Sequence, residues 1–171
     1  MRKLIAIATA SVAAILIASP AAAVSPVTQA TANAKIFKPL TISKLADLDF
    51  GVIVLTGASF SPETVTVTLA GTVTCGTNPG VDLTCSGTPQ AAKYHLVGTN
   101  NAKVTVSSPG FNLTGPSTLA FNPTVTSQTV DLGAAGSTTG VDVILGGSIS
   151  VSSSTPDGVY SGTFAVTADY Q

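Results

Sequence analysis

Few side chains in this sequence could do chemistry, and the single histidine, His95, is the first of them. It stands in residues 92–97, where apolar and polar positions alternate as they do in a β-strand. A serine hydrolase would need a serine and an aspartate beside this histidine, but the chain has no Gly-x-Ser-x-Gly turn to present the serine. One histidine cannot anchor a metal ion either. We therefore expect His95 to be an outward-facing or hydrogen-bonded strand residue, and we expect no catalytic residue.

Two carboxylates, Asp47 and Asp49, lie two residues apart and would share one face of an extended chain. With loop carbonyls they could hold a hard cation such as calcium. We favour the alternative, in which Leu-Asp-Phe-Gly at 48–51 opens a strand and buries Phe50 in the core. The remaining carboxylates are scattered, and the sequence contains neither a phosphate-binding loop nor a dinucleotide fingerprint. The sequence thus predicts no metal site and no cofactor.

The only cysteines, Cys75 and Cys85, flank a Pro-Gly pair at 79–80. Pro and Gly fit the central positions of a type II turn, which would fold the chain back and bring the two thiols together. An even number of cysteines outside the cytoplasm usually forms a bridge, and a metal site would need more ligands than two thiols. We predict a disulfide between Cys75 and Cys85 rather than free thiols or a metal site.

The start of the chain has the features of a secretory signal peptide. Two basic residues precede a largely apolar run at 4–18, and three alanines end the pattern at Ala23. The apolar run is short for a membrane span, so a retained N-terminal anchor is the less favoured alternative. We expect cleavage after Ala23, which gives a signal peptide at 1–23 and one domain at 24–171.

The charge and composition of the remaining chain indicate its class and its destination. Residues 24–171 carry five lysines and eight carboxylates, and therefore a formal net charge of −3. A nucleic-acid-binding protein needs clustered Lys and Arg to displace counterions, so we expect no nucleic-acid partner. Low charge density with many Thr, Ser, Gly and Val residues is typical of exported β-proteins. We expect the chain in the periplasm, at the cell surface or outside the cell, without a stable membrane span after cleavage.

Period-two alternation recurs along the chain, and after Ala23 no segment longer than a turn shows the helical period. We predict strands at 28–36, 40–44, 48–55, 63–75, 92–97, 103–107, 119–121, 124–132, 141–145, 148–151 and 160–170. Residues 52–55 are continuously apolar, which predicts a strand covered on both faces. The turn at 155–158 should join the last two strands as a hairpin. Many short strands with frequent turns predict a single all-β antiparallel sandwich.

Five short motifs, taken in order, resemble a bacterial family of small secreted β-domains known only as a domain of unknown function. They are Leu-Asp-Phe-Gly at 48–51, Val-Thr-Val at 65–67, Ala-x-Tyr-x-Leu-x-Gly at 92–98, Gly-Gly-Ser-Ile-Ser-Val at 146–151, and Gly-Val-Tyr-Ser-Gly-Thr-Phe at 158–164 with the near-terminal Tyr170. The likeness covers nearly all of residues 24–171.

The Phe-Gly motif and the final strand are also similar to those of spore coat protein U and of chaperone–usher pilins. That resemblance implies an incomplete immunoglobulin-like sandwich, whose groove is filled by the N-terminal strand of a neighbour, and a chaperone that recognises the last strand. By position, the residues implied in this partner strand are Tyr160, Phe164, Val166 and Tyr170. Residues 24–34 are then either a donor strand or the domain's own first strand. Their alanines are small for groove anchors, which favours the second alternative.

These observations favour an exported, non-catalytic structural or adhesive surface subunit, like that of a fimbria or a coat. It would pair strands with itself or with partners such as a periplasmic chaperone or usher. The alternative is a monomeric secreted module that binds a small ligand or a glycan. An outer-membrane barrel is less favoured because the chain has few aromatic and charged residues. An enzyme is also less favoured because no catalytic constellation is visible.

Overall fold

The computed structural model describes residues 26–171, of which Ile36–Gln171 form one compact unit. The predicted signal peptide at 1–23 lies outside the described residues. The secondary structure of the described part consists of strands and turns, without a helix. The strands are β1 (Thr41–Ala46), β2 (Val52–Leu55), β3 (Glu63–Val67), β4 (Val73–Cys75), β5 (Leu83–Ser86), β6 (Ala92–Val97), β7 (Lys103–Ser107), β8 (Phe111–Thr114), β9 (Thr118–Pro123), β10 (Ser127–Asp131), β11 (Val141–Leu145), β12 (Gly147–Val151) and β13 (Thr167–Tyr170). The predicted all-β class is confirmed.

The first core lies between two antiparallel three-stranded sheets, β1-β6-β11 and β10-β7-β13. Every second residue of β6 is buried, namely Ala92, Tyr94 and Leu96, and Val104 and Val106 of β7 belong to the same cluster. This is the arrangement expected when side chains alternate between a core face and a solvent face. The predicted strands at 92–97 and 103–107 are therefore confirmed, although they lie in different sheets.

The second core is built by the five-stranded sheet β4-β3-β12-β9-β8 and the two-stranded ribbon β2-β5. Its buried members are Val65, Leu83, Leu119, Phe121, Ile149 and Val151. Leu48 packs against both cores, and Phe164 packs against the first core while its ring stacks on Phe121 of the second. The two cores are thus continuous.

The chain passes from one core to the other at Gly146-Gly147, between β11 and β12. Strand β11 belongs to the sheet of β6, whereas β12 pairs with β3 and β9. A Cβ on Gly147 would lie 2.2 Å from two ring atoms of Phe121, so a larger residue would displace this buried ring. A Cβ on Gly146 would likewise meet the backbone carbonyl oxygen of Val67, so both glycines stand where neighbouring groups come close.

Residues 28–36 form no strand, so the strand predicted there is wrong. All residues from 26 to 36 are exposed. Their alternating side chains are mostly alanines, which bury little apolar area when they pair, so the pattern alone provides a weak driving force for a strand. The described part of this segment is therefore not the domain's own first strand, which was one of the two alternatives.

The hairpin predicted at 155–158 is wrong as well. Both edges of β12 are already occupied, by β3 and by β9, so the strand that follows cannot pair with it. The final strand pairs with β7 instead, with Tyr170 opposite Val104. The sequence shows a strong turn at 155–158, but the turn only redirects the chain.

The final strand is shorter than predicted. Its ladder covers Thr167–Tyr170, and upstream only Ser161 forms an isolated bridge, to Thr114. The predicted alternation of burial nevertheless holds from Tyr160 onward, because the five apolar positions are half-buried while the residues between them are exposed. The period of two therefore indicates which face is covered, whereas the backbone ladder covers only Thr167–Tyr170 and thus two of the five apolar positions.

A candidate strand-binding groove

An apolar groove of about 800 Å³ opens between β2 and residues 155–164. Its floor consists of second-core side chains, including Leu113, Leu119, Ile149 and Val151. The rings of Phe111 and Phe164 also line it, and they stack with centroids 5.0 Å apart. A groove of this size with an apolar floor is typical of binding sites in proteins.

One wall of the groove is the edge strand β2. Within the described residues, β2 pairs only with β5, so the backbone groups along its other edge face the groove. Ile53 and Leu55 point into the core, but Val52 is 56% exposed and Val54 46% exposed. The prediction that this strand is covered on both faces is wrong, because the side chains of Val52 and Val54 stay largely open to solvent.

The opposite wall is the segment before the final strand. Ser161 exchanges two backbone hydrogen bonds with Thr114, of 2.8 and 2.9 Å, which extends the five-stranded sheet by one residue beyond β8. The Tyr160 hydroxyl donates to the carbonyl oxygen of Pro156 at 2.8 Å and lies 3.0 Å from Ser117 Oγ. This wall is therefore held in place on the β8–β9 side of the groove.

A row of seven core residues runs from the wall strand β2 through the floor to β8, and we call it the core row. Each member is the register partner of the next, except for one step that is a disulfide. In order, the core row is Ile53, Cys85, Cys75, Val65, Ile149, Phe121 and Phe111. Its two ends, Ile53 and Phe111, both line the groove. The strands thus form a ring that is open at one place, and the groove occupies the opening.

The groove lining contains carboxylates but no basic residue. Neither residues 48–92 nor residues 104–171 contain Lys or Arg, and all lining residues come from these two stretches. Asp49 and Asp157 are part of the lining. A positively charged occupant would therefore be attracted by Asp49 and Asp157 and would not be repelled by a Lys or Arg of the lining.

The residues predicted for a partner strand are divided between two places. Tyr160 and Phe164 line the groove. Val166 and Tyr170 pack against the first core instead, and the Tyr170 hydroxyl hydrogen-bonds Thr99 and Lys38. Sequence reasoning missed the contribution of β8, although Phe111 and Leu113 alternate with polar residues, the signal by which other strands were found.

His95 is far from any catalytic arrangement. Its Nδ1 lies 2.7 Å from Asp142 Oδ1, and Lys93 Nζ lies 2.7 Å from the other carboxylate oxygen. The hydrogen bond from Lys93, and then that from His95, lowers the pKa of the Asp142 carboxyl. Ser43 is the register partner of His95 on β1, but a Cβ on Gly140 would lie 2.8 Å from His95 Nε2, so the ring lies over β11 and away from that serine. His95 is a hydrogen-bonded strand residue, as predicted.

The two carboxylates considered for a cation have separate partners. Asp47 accepts a hydrogen bond from Lys44 Nζ at 2.6 Å, and Asp49 accepts one from the backbone N–H of Gly51 at 2.8 Å. In residues 26–171 no group of three or more His, Cys, Asp or Glu side chains could hold a metal ion. Phe50 belongs to the second core, as the favoured interpretation required.

The predicted disulfide between Cys75 and Cys85 is confirmed, with Cα atoms 5.8 Å apart. The loop that it closes is held by Glu63, which is 9% exposed. The carboxylate of Glu63 accepts hydrogen bonds from the hydroxyl and the backbone N–H of Thr77. These bonds, the hydroxyl first, lower the pKa of the Glu63 carboxyl.

The fold and the groove define a class of protein: an antiparallel β-sandwich with one open seam and an apolar site along it. The chain belongs to the family described as Domain of unknown function (DUF4402), whose profile matches residues 40–170. This confirms the resemblance to a domain family of unknown function. No curated protein and no solved structure matches the chain. From residue 26 onward, no helix is long and apolar enough to cross a membrane.

Proposed function

We propose that this domain is an exported, non-catalytic structural or adhesive surface subunit that pairs strands with other subunits. The observation that carries the proposal is the open seam between β2 and residues 155–164. An extended segment laid there would pair with the free edge of β2 and cover the apolar floor. It would also cover Val52 and Val54, which are exposed apolar residues on an edge strand, an arrangement that proteins otherwise avoid.

The occupant we propose is the N-terminal segment of a second copy, residues 26–36. This segment belongs to no strand, and its residues are exposed. Its small apolar residues Ala30, Ala32 and Ala34 recur at every second position, so in an extended chain they would share the face that meets the groove floor.

The charges of the two surfaces support this pairing. Lys35 is the only charged residue of the segment, whereas the groove lining contains Asp49 and Asp157 and no cation. The pairing is therefore electrostatically complementary, which favours correct encounters between copies. Before assembly, a periplasmic chaperone would cover the same seam, next to Tyr160 and Phe164.

Export is the second part of the proposal. The disulfide between Cys75 and Cys85 fits an oxidising compartment, because cytosolic thiols are kept reduced. The expected signal peptide at 1–23 provides the route.

A monomeric module for a small ligand is the second candidate. The observation that favours it is the groove itself, since about 800 Å³ is within the range of small-molecule sites. The two candidates differ in whether the N-terminal segment has a role.

The test uses two variants of the chain from Val24 onward, Ala32→Asp and Asn33→Asp. They add the same charge at adjacent positions, but only position 32 shares the face that meets the groove. Self-association is followed by light scattering over a range of concentrations. We expect Ala32→Asp to weaken association by about 100-fold or more, because it buries an unpaired carboxylate, and Asn33→Asp to change it less than about fivefold.

Equal effects of the two variants would contradict pairing through the groove. A wild-type chain from Val24 onward that stays monomeric at high concentration would contradict the assembly proposal and leave the ligand-binding candidate.

A further inference from the structure

The wall and the floor of the groove are joined in an unusual way. Within the described residues, β5 pairs with β2 and β4 pairs with β3, but β4 and β5 share no ladder of hydrogen bonds. The Cys75–Cys85 disulfide spans this gap. It is the one covalent step of the core row, and the two residues on either side of it, Val65 and Ile53, are the register partners of its cysteines.

Within the described residues, the wall strand β2 forms its ladder with β5 alone, and the first hydrogen bonds toward the floor come at Phe60, which bonds to Ser153 just after β12. Ahead of β2, Asp49 exchanges two backbone hydrogen bonds with Gln90, of 2.8 and 2.9 Å, in the segment between β5 and β6. At the end of β2, the N–H groups of Thr56 and Gly57 donate to the carbonyl oxygen of Asp82, just before β5. Strands β2 and β5 therefore form one ribbon, whose position relative to the floor depends on what fixes β5.

We infer that Cys75 and Cys85 are positioning residues of the strand-binding groove: their disulfide sets the distance between the wall strand β2 and the floor. Without the bond, the ribbon is held to the five-stranded sheet by side-chain packing, by the loop at 76–82 and by the Phe60–Ser153 hydrogen bonds. The groove would then lose its fixed width, while the first core, which contains neither cysteine, stays intact. For the identity of the occupant we rely on the function proposed above.

The bond also makes the groove sensitive to reduction. A dithiol reductant attacks one sulfur, both cysteines end as protonated thiols, and the reagent closes to a cyclic disulfide, so two electrons pass to the protein. A chain that reaches a reducing compartment would fold its first core but present a groove of undefined width.

The experiment compares the double variant Cys75→Ala/Cys85→Ala with Val143→Ala, a truncation in the first core. Val143 is 4% exposed, belongs to the first core and does not line the groove, so its truncation lowers global stability without removing a groove contact. Amide hydrogen exchange of Val52–Leu55 is measured in both variants. The denaturant concentration of each sample is chosen so that the two variants have the same global free energy of unfolding. We expect exchange in β2 to be about tenfold faster in the double variant than in Val143→Ala, with equal rates at Val104 and Val106.

Self-association is measured on the same proteins, and we expect it to be about tenfold weaker in the double variant than in Val143→Ala. Equal exchange rates in β2 would overturn the inference. If the wild-type chain does not associate at all, the proposed function fails, whereas the exchange comparison still decides the positioning role. Should the double variant not fold, the exchange of β2 is compared in the wild-type chain before and after treatment with dithiothreitol, with the same expected ratio.

Discussion

The ring of Phe37 lies flat on the ring of Tyr170, with centroids 4.2 Å apart and planes only 5° from parallel. The Tyr170 hydroxyl accepts a hydrogen bond from the backbone N–H of Thr99 at 2.7 Å and donates one to the carbonyl oxygen of Lys38 at 2.9 Å. One side chain of the last strand thus holds the residues that precede β1.

Tyr170→Phe should lower the free energy of unfolding by about 1–2 kcal/mol. The variant keeps the stacked ring but removes the hydroxyl, so the Thr99 N–H and the Lys38 carbonyl each lose a partner. Urea unfolding followed by circular dichroism measures the change. Tyr160→Phe is the matched control, because its hydroxyl also makes two contacts but lies in the groove wall. If Tyr160→Phe lowers the free energy of unfolding by as much, the hydrogen bonds of Tyr170 to Thr99 and Lys38 contribute no more than those of an ordinary tyrosine hydroxyl.

The pH dependence of stability should report on Glu63. Its pKa is lower in the folded chain than its ordinary value, so the folded state binds fewer protons than the unfolded state in this range. The stabilisation is fully present above the ordinary pKa, about 4.3, and is lost as the pH falls through the lowered value. Wild-type stability should therefore fall on acidification below about pH 4.3 more steeply than that of Glu63→Gln.

Asp131→Asn provides the control for this measurement. Asp131 is exposed, and its carboxylate accepts a single hydrogen bond, from the backbone N–H of Gly133. The variant shows how far the loss of one carboxylate by itself changes the slope of the pH profile. Parallel profiles of Glu63→Gln and wild type between pH 2 and pH 5 would show that the Thr77 contacts do not stabilise the charged carboxylate.

The exported form should begin at Val24 or within a few residues of it, because the small residues before it fit the cleavage pattern of a signal peptide. Intact-mass measurement of protein recovered from the periplasm or the medium checks this. Ala23→Pro is a useful comparison, since a proline at the predicted cleavage site should slow processing. Recovery of folded, exported protein that still carries Met1 would disprove the signal peptide.

Much of the fold follows from local patterns. The strands at 92–97 and 103–107 are found where they were predicted because their apolar residues alternate strictly and both strands have one face on a core. The disulfide was predictable because only two cysteines exist and a turn lies between them. The strand prediction at 28–36 failed because alternating alanines bury little apolar area. A period of two therefore does not by itself guarantee a strand.

The pairing of strands and the groove depend on contacts between distant segments, which periodicity does not encode. Nothing in residues 149–153 shows that both edges of this strand are taken by β3 and β9. In the same way, the continuous apolar run at 52–55 suggests a buried strand, and only the topology leaves β2 at an edge. The resemblance indicated Tyr160 and Phe164 on one side of the groove. That β2 forms the other side became visible only in the structure.

The rings of Phe111 and Phe164 provide the last prediction, because they link the groove to both cores. They stack at 5.0 Å with planes 14° apart, and Phe164 also packs against the first core. Phe164→Ala should lower the free energy of unfolding by about 3 kcal/mol, as expected for truncating a half-buried aromatic side chain. A double-mutant cycle with Phe111→Leu and Phe164→Leu should give a coupling energy of about 0.5–1.5 kcal/mol. The cycle of Phe50 and Phe164, whose rings form no direct pair in the described chain, should give a smaller value. Equal coupling energies in the two cycles would mean that the ring contact adds nothing to stability beyond the burial of both rings in the same core.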